Sequence, residues 1–124
     1  MTVFQPADFL RVAERLYEEG SKEEDQGALR TVVSRAYYAA FLTWREKIRA
    51  VDPDYIANEE QLGGSDVHRA VIEWLKGRKL GWISEYLRYL RRERNKADYD
   101  LNVYFSHHHV HNLINIAHKL VEQK

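Results

Sequence analysis

Residues 28–48 read ALRTVVSRAYYAAFLTWREKI, and this stretch decides what kind of fold the chain can adopt. Ala28, Leu29, Val32, Val33, Ala36, Tyr37, Ala40, Phe41, Trp44 and Ile48 recur at spacings of three and four. Residues at that spacing share one stripe of an α-helix, and a strand would need alternation instead. Nothing interrupts the stripe before Pro53, whose ring excludes further helix. At the upstream end, Ser21-Lys22-Glu23-Glu24 has the pattern of a capping box. The predicted helix therefore runs about 28 residues, or about 42 Å at 1.5 Å per residue. A rod of that length sets the long dimension of a bundle.

The flanks give further helices. The first is predicted to start with Pro6 at N1, to face inward through Phe9, Leu10, Ala13, Leu16 and Tyr17, and to end at Gly20 as C′ residue. Residues 52–64 read as a loop with one short turn. Ser65 follows Gly63-Gly64 as N-cap of a helix to about Lys76, with Val67, Ala70, Val71, Trp74 and Leu75 inward. Gly77 and Gly81 bracket a short connection to a helix from about Trp82 to Ala97, with Ile83, Tyr86, Leu87 and Leu90 inward. YDLNVYF, residues 99–105, reads as an extended connector. Ser106 caps a last helix with Val110, Leu113, Ile114, Ala117, Leu120 and Val121 inward. The expected fold is all-α: one domain over residues 1–124, an up-and-down bundle of four long helices plus a short helix.

The totals bound the function. Lys+Arg and Asp+Glu are both 19 in 124 residues, so the chain is not coated with charge and an anion site must arise by local clustering. Cys is absent, which removes thiol nucleophiles, thiolate metal sites and disulfides. Residues 1–20 lack the apolar segment of a signal peptide, and no run reaches the roughly 20 apolar residues of a membrane span. The expectation is a cytoplasmic protein without membrane contact.

RRERNKADYD, residues 91–100, holds the densest cation cluster. Arg91, Arg92, Arg94 and Lys96 are candidate phosphate ligands, because guanidinium forks match phosphate oxygens and stay charged. The same cations complement a helix C-terminus as a solvated end, so both readings stand. Asp98 and Tyr99 join Arg94 as candidate catalytic groups, or fix the turn after the helix. Arg35 and Tyr38 lie off the centre of the apolar stripe and are candidate floor residues of the same site, with Tyr38 able to stack on a base. His68 stands three residues after the Ser65 cap, and reads as a cap or packing residue.

SRAYYAAF (34–41), SDVHRAVIEWL (65–75) and RRERNKADYD (91–100), in that order, resemble the small single-domain branch of the HEPN family. The resemblance implies a helical bundle, commonly a homodimer. It also implies an RNA-binding or RNA-cleaving effector of a toxin–antitoxin or defence system, often paired with a minimal nucleotidyltransferase. Many members are metal-independent RNases, so no metal or cofactor is expected. Their usual motif is Arg, four to six residues, then His. Here the position after four residues from Arg94 is Tyr99, and no His falls in the windows from Arg91 or Arg92. The alternative is a non-catalytic HEPN module that binds a nucleotidyltransferase partner or a nucleotide. His107 and His111, at i, i+4, have metal-binding spacing but no third ligand in the sequence. His107 is also a candidate for the missing base. Trp44, Trp82 and Tyr104 are candidates for aromatic area at a dimer interface.

Overall fold

A computed structural model describes residues 3–62 and 64–123. Among these residues six helices follow one another: α1 (Ala7–Gly20), α2 (Gln26–Val51), α3 (Pro53–Leu62), α4 (Gly64–Lys76), α5 (Gly81–Tyr99) and α6 (His107–Glu122). The fold is all-α, and no strand occurs among the described residues. No helix among them is long and apolar enough to cross a membrane.

The 26-residue α2 is the axis. It touches each of the other five helices. Leu29, Val32, Val33, Ala36, Tyr37, Ala39, Ala40, Phe41, Trp44 and Ile48 are all buried, as the stripe predicts, and Ala39 widens it. Each fully buried large apolar side chain contributes roughly 1.5–3 kcal/mol. Trp44 lies in this core rather than on a surface. Its Nε1–H donates to the Leu120 carbonyl at 2.9 Å and ties α2 to α6.

The ends of the elements correct several expectations. α2 is capped by Asp25, whose carboxylate accepts from the Ala28 N–H at 3.2 Å, and not by a box at Ser21. Glu24 is drawn away from that role by the N-terminus of α6. Residues 53–62 are a helix, not a loop. Pro53 suits a first helical position, Asp54 favours the first turn, and Ile56 is fully buried against the core. Gly63 and the side chain of Ser65 lie outside the described residues, and Ser65 falls inside the bounds of α4. The left-handed position before α5 is filled by Lys79, with φ of 63°, rather than by Gly77 or Gly81. Ser106 caps α6 as predicted, accepting from the His109 N–H at 3.2 Å.

Gly20 is not a left-handed cap. It is the last residue of α1, buried, and a Cβ there would stand 2.7 Å from the Ala28 Cβ. A methyl at neither position can rotate away, so Gly20 sets how closely α1 approaches α2. Gly20→Ala is expected to destabilise the fold by about 1–3 kcal/mol, as overpacking does. Ala28→Gly in the same chain should recover most of the loss. Denaturant unfolding of both variants checks this, and an unaffected Gly20→Ala protein would remove the close-approach argument.

Candidate functional site

The cation run of α5 divides between two faces. Arg91, Arg94 and Asp98 stand at i, i+3 and i+7, on a stripe that faces α2. Arg88, Arg92, Lys96 and Tyr99 form a second, outward stripe. On that stripe Lys96 donates to Glu93 at 2.8 Å, Arg92 lies 6.0 Å from the Tyr89 ring, and Tyr99 is 74% exposed. The structure thus brings Arg94 and Asp98 together with Arg35 and Tyr38 of α2, and sets Arg91 near enough to Tyr37 and His68 for its charge to act on them. It places Arg92, Lys96 and Tyr99 outside that cluster.

Arg94 is the centre of the inward set and is only 9% exposed. Its guanidinium sits 5.4 Å from the Tyr37 ring and 5.3 Å from the Tyr38 ring, as a cation–π contact. Nη1 approaches the Asp98 carboxylate at 3.5 Å. Nε has no hydrogen-bond partner among the described residues. Arg35 continues the ladder, 5.4 Å from Tyr38 and 4.9 Å from Phe9.

Tyr37 is fully buried, as its place on the stripe predicts, yet its hydroxyl makes a specific bond. It meets His68 Nδ1 at 2.5 Å. The hydroxyl has no other partner among the described residues, and the bond runs O–H to Nδ1 or Nδ1–H to oxygen according to the tautomer. His68 stacks on Phe41 at 4.0 Å between centroids. It packs against rings of α2, and its bond to Tyr37 makes it the α4 contribution to the cluster. Sequence carried a signal for this, since His68, Val71 and Leu75 share one helical stripe. Burial, with the positive field of Arg91, Arg94 and Arg45, holds the His68 pKa down to about 4. Burial also raises the Tyr37 pKa, against a smaller opposing pull from Arg91 and Arg94.

Two clefts flank Tyr38. One, about 900 Å³, lies between the first half of α2 and the end of α5 with its connector, and includes Arg35, Ser34, Asp98, Tyr99 and Tyr104. The other, about 380 Å³, is lined by Tyr38, Phe41, Arg45, Glu60 and His68 among others.

Polar struts that the sequence does not reveal hold the connector. Arg30 donates to the Ala97 carbonyl at 3.0 Å and to the Lys96 and Val103 carbonyls, at the C-terminal end of α5. The Gln26 amide brackets Phe105, donating to its carbonyl at 2.8 Å and accepting from its N–H at 2.9 Å. Glu24 accepts from the Tyr104 hydroxyl, and from the backbone N–H and Nδ1 of His107, both at 2.8 Å. These three bonds hold its carboxyl down to about 2. His107 is thereby committed to Glu24 at the start of α6, and His111 lies against the Tyr17 ring. Glu93, nearly buried, accepts from His109 Nε2 at 2.5 Å besides Lys96. Burial pushes its pKa up, but those two hydrogen bonds outweigh it and the net direction is down.

A model of the HEPN domain matches residues 7–124. The chain belongs to the HEPN family. It is also similar to an uncharacterized protein of Methanocaldococcus jannaschii, with 29% identity over 109 residues, covering 80% of this chain and 65% of that protein. The chain therefore spans just under two thirds of the length of that relative. No solved structure gives a significant match.

The depressed His68 pKa makes a signed prediction. The unfolded imidazole titrates near 6.5 and the folded one near 4, so the unfolded chain binds more protons between those values. Stability is full above about pH 6.5 and falls as pH drops toward 4. His68→Asn should flatten that part of the profile. NMR titration of the imidazole in the folded protein, with urea unfolding from pH 4 to 7, measures both. A His68 that titrates near 6.5 would contradict the site geometry.

Proposed function

We propose that this HEPN-family chain is a phosphate-binding module that engages RNA or a nucleotide through Arg91 and Arg94, and holds its ligand rather than cleaving it. The observation that carries the reading is the under-compensated Arg94. A buried cation costs several kcal/mol unless it is paired and hydrogen-bonded. Arg94 has one carboxylate at 3.5 Å and an orphaned Nε. Arg91 beside it, half-buried, has no carboxylate partner among the described residues. The field of these guanidiniums reaches His68. An arriving phosphate supplies the missing counter-charge.

The argument against cleavage is chemical. Attack by a 2′-hydroxyl needs a group that takes and gives a proton near neutral pH. The imidazole in the cluster is engaged by Tyr37 through Nδ1, and its pKa is far below neutrality. Asp98 is bound to Arg94, and Tyr99 is turned to solvent. In a toxin–antitoxin or defence setting, this role is that of the non-catalytic partner docked to a nucleotidyltransferase.

Arg91→Ala tests the reading without disturbing the core. Binding of uridine 3′-monophosphate, followed by NMR shifts of His68, should weaken about tenfold, since a hydrogen bond to a charged group is worth roughly 1.5–3 kcal/mol. For an RNA oligomer, the slope of log K against log salt should fall by about 0.7 for the lost phosphate contact. Arg94→Lys, which keeps the charge and loses the fork, should weaken binding as well. Unchanged affinities in both folded variants would end the proposal. RNA cleavage without added metal by the unmutated chain would overturn its non-catalytic part.

A further inference from the structure

The C-terminal end of α2, away from the arginine cluster, carries a separate cleft of about 370 Å³. From Arg35 to Lys47 the helix rises about 18 Å, which sets the two sites apart. The last turns of α2, the end of α4 and the start of α5 form the cleft. Trp44, Ile48, Val51, Trp74 and Leu80 line it with carbon, and Lys47 is its one charged residue among those described. Both indoles have spent their polar edges inside the protein. Trp44 Nε1–H donates to the Leu120 carbonyl at 2.9 Å, and Trp74 Nε1–H donates to Asp52 at 3.0 Å. What they leave to a ligand is apolar surface held in place. Lys47 differs from the cations around it. Its ammonium lies 4.7 Å from the Trp44 ring, and no carboxylate pairs with it among the described residues. The carboxylates that flank this part of α2 are engaged: Glu46 with Arg45 and Arg49, and Asp52 with Arg78 at 3.7 Å. Burial lowers the Lys47 pKa from its ordinary value, so its charge is partly desolvated without a counter-charge.

We propose that this cleft binds a small carboxylate with a hydrocarbon tail, the tail against Trp74, Leu80 and Val51 and the carboxylate on Lys47. A concave site walled by apolar side chains, with one placed polar group to fix orientation, is the common form of a small-molecule site, and this volume falls within the usual range. The tail covers apolar surface that is now open to water, since Val51 is 71% exposed. The carboxylate gives the desolvated ammonium the partner that the fold withholds. A lone ammonium, without a guanidinium fork, matches a monoanion better than a phosphate ester. A lysine near the end of a helix also complements the macrodipole. A charge serving only that role would not discriminate between an acid and the matching alcohol, so ligand selectivity separates the two roles. The proposal is independent of the phosphate-binding reading, because the cleft shares no residue with it.

Isothermal titration with decanoate, and with decanol as its uncharged counterpart, tests the assignment. Decanoate should bind the unmutated protein more tightly than decanol. In NMR spectra it should move the indole N–H signals of Trp44 and Trp74 and leave the imidazole signals of His68 in place. Lys47→Met keeps an apolar stem and removes the charge. It should weaken decanoate about tenfold, as loss of a charged hydrogen-bond partner does, and leave decanol unchanged. Ala50 lines the cleft and is exposed, so Ala50→Phe fills the space without straining the core and should abolish binding of both. Arg91→Ala should leave decanoate binding as it was. Equal affinity for decanoate and decanol would overturn the proposal, as would decanoate binding that ignores Lys47→Met. Shifts on His68 in place of the two indoles would also overturn it, and so would a protein that binds no decanoate.

Discussion

The burial of α2 constrains everything around it. A helix apolar over so wide a stripe must be covered by neighbours. Here five helices provide the cover. Its small residues, Ala36, Ala39 and Ala40, let neighbours approach closely, and Gly20 admits α1 at Ala28. Two residues of the stripe cannot be satisfied by apolar contact alone: the Trp44 N–H finds the Leu120 carbonyl, and Tyr37 sets the second demand. Tyr37 carries a hydroxyl into the interior, and a buried hydroxyl without a partner costs about 1–3 kcal/mol. His68 of α4 meets it, and Arg94 of α5 covers its ring. The polar tip of one core residue thus places α4 and α5 in register on α2, and the same contacts create the candidate site.

Charge on α5 is sorted by helical phase. Four cations within six residues would repel if they shared a face. Instead Arg91 and Arg94 lie on the side that faces α2, where Arg94 covers the Tyr37 and Tyr38 rings, while Arg92 and Lys96 turn outward. Lys96 is matched by Glu93, which is matched again by His109. On the outward stripe Lys96 has a carboxylate partner, and on the inward one Arg94 has Asp98 but keeps a buried Nε without a hydrogen bond. That unbonded Nε directs the functional reading to the α2 side, despite a net charge of zero for the whole chain.

The connector after α5 owes its conformation to the start of α2. Glu24, Gln26 and Arg30 reach residues 96–107 through hydrogen bonds to backbone and side chains. Arg30 serves the open carbonyls of a helix C-terminus, which otherwise turn to water. Glu24 serves the open N–H groups at the start of α6, where negative charge is favoured. These struts build one wall of the larger cleft and hold Tyr99 and Tyr104 at its rim.

Local rules in the sequence determined the helical class, the inward faces of α1, α2, α4, α5 and α6, the Ser106 cap and the stop at Pro53. Each follows from residues within a turn or two of one another, where periodicity and φ restriction act. The loop expected at residues 52–64 failed over 53–62 because a short helix with one anchor, Ile56, has too little periodicity to read. The cap expected at Ser21 and the role expected of Gly20 failed because their deciding partners, Ala28, Tyr104 and His107, lie on other elements. The candidate site was half legible for the same reason. Arg94, Asp98, Arg35 and Tyr38 were nameable from residue chemistry and family resemblance. That they meet, that Lys96 and Arg92 do not join them, and that His68 completes the cluster depended on packing. Hydrogen bonds and fields between residues 23 to 83 positions apart form only when the bundle closes, and nothing local encodes them.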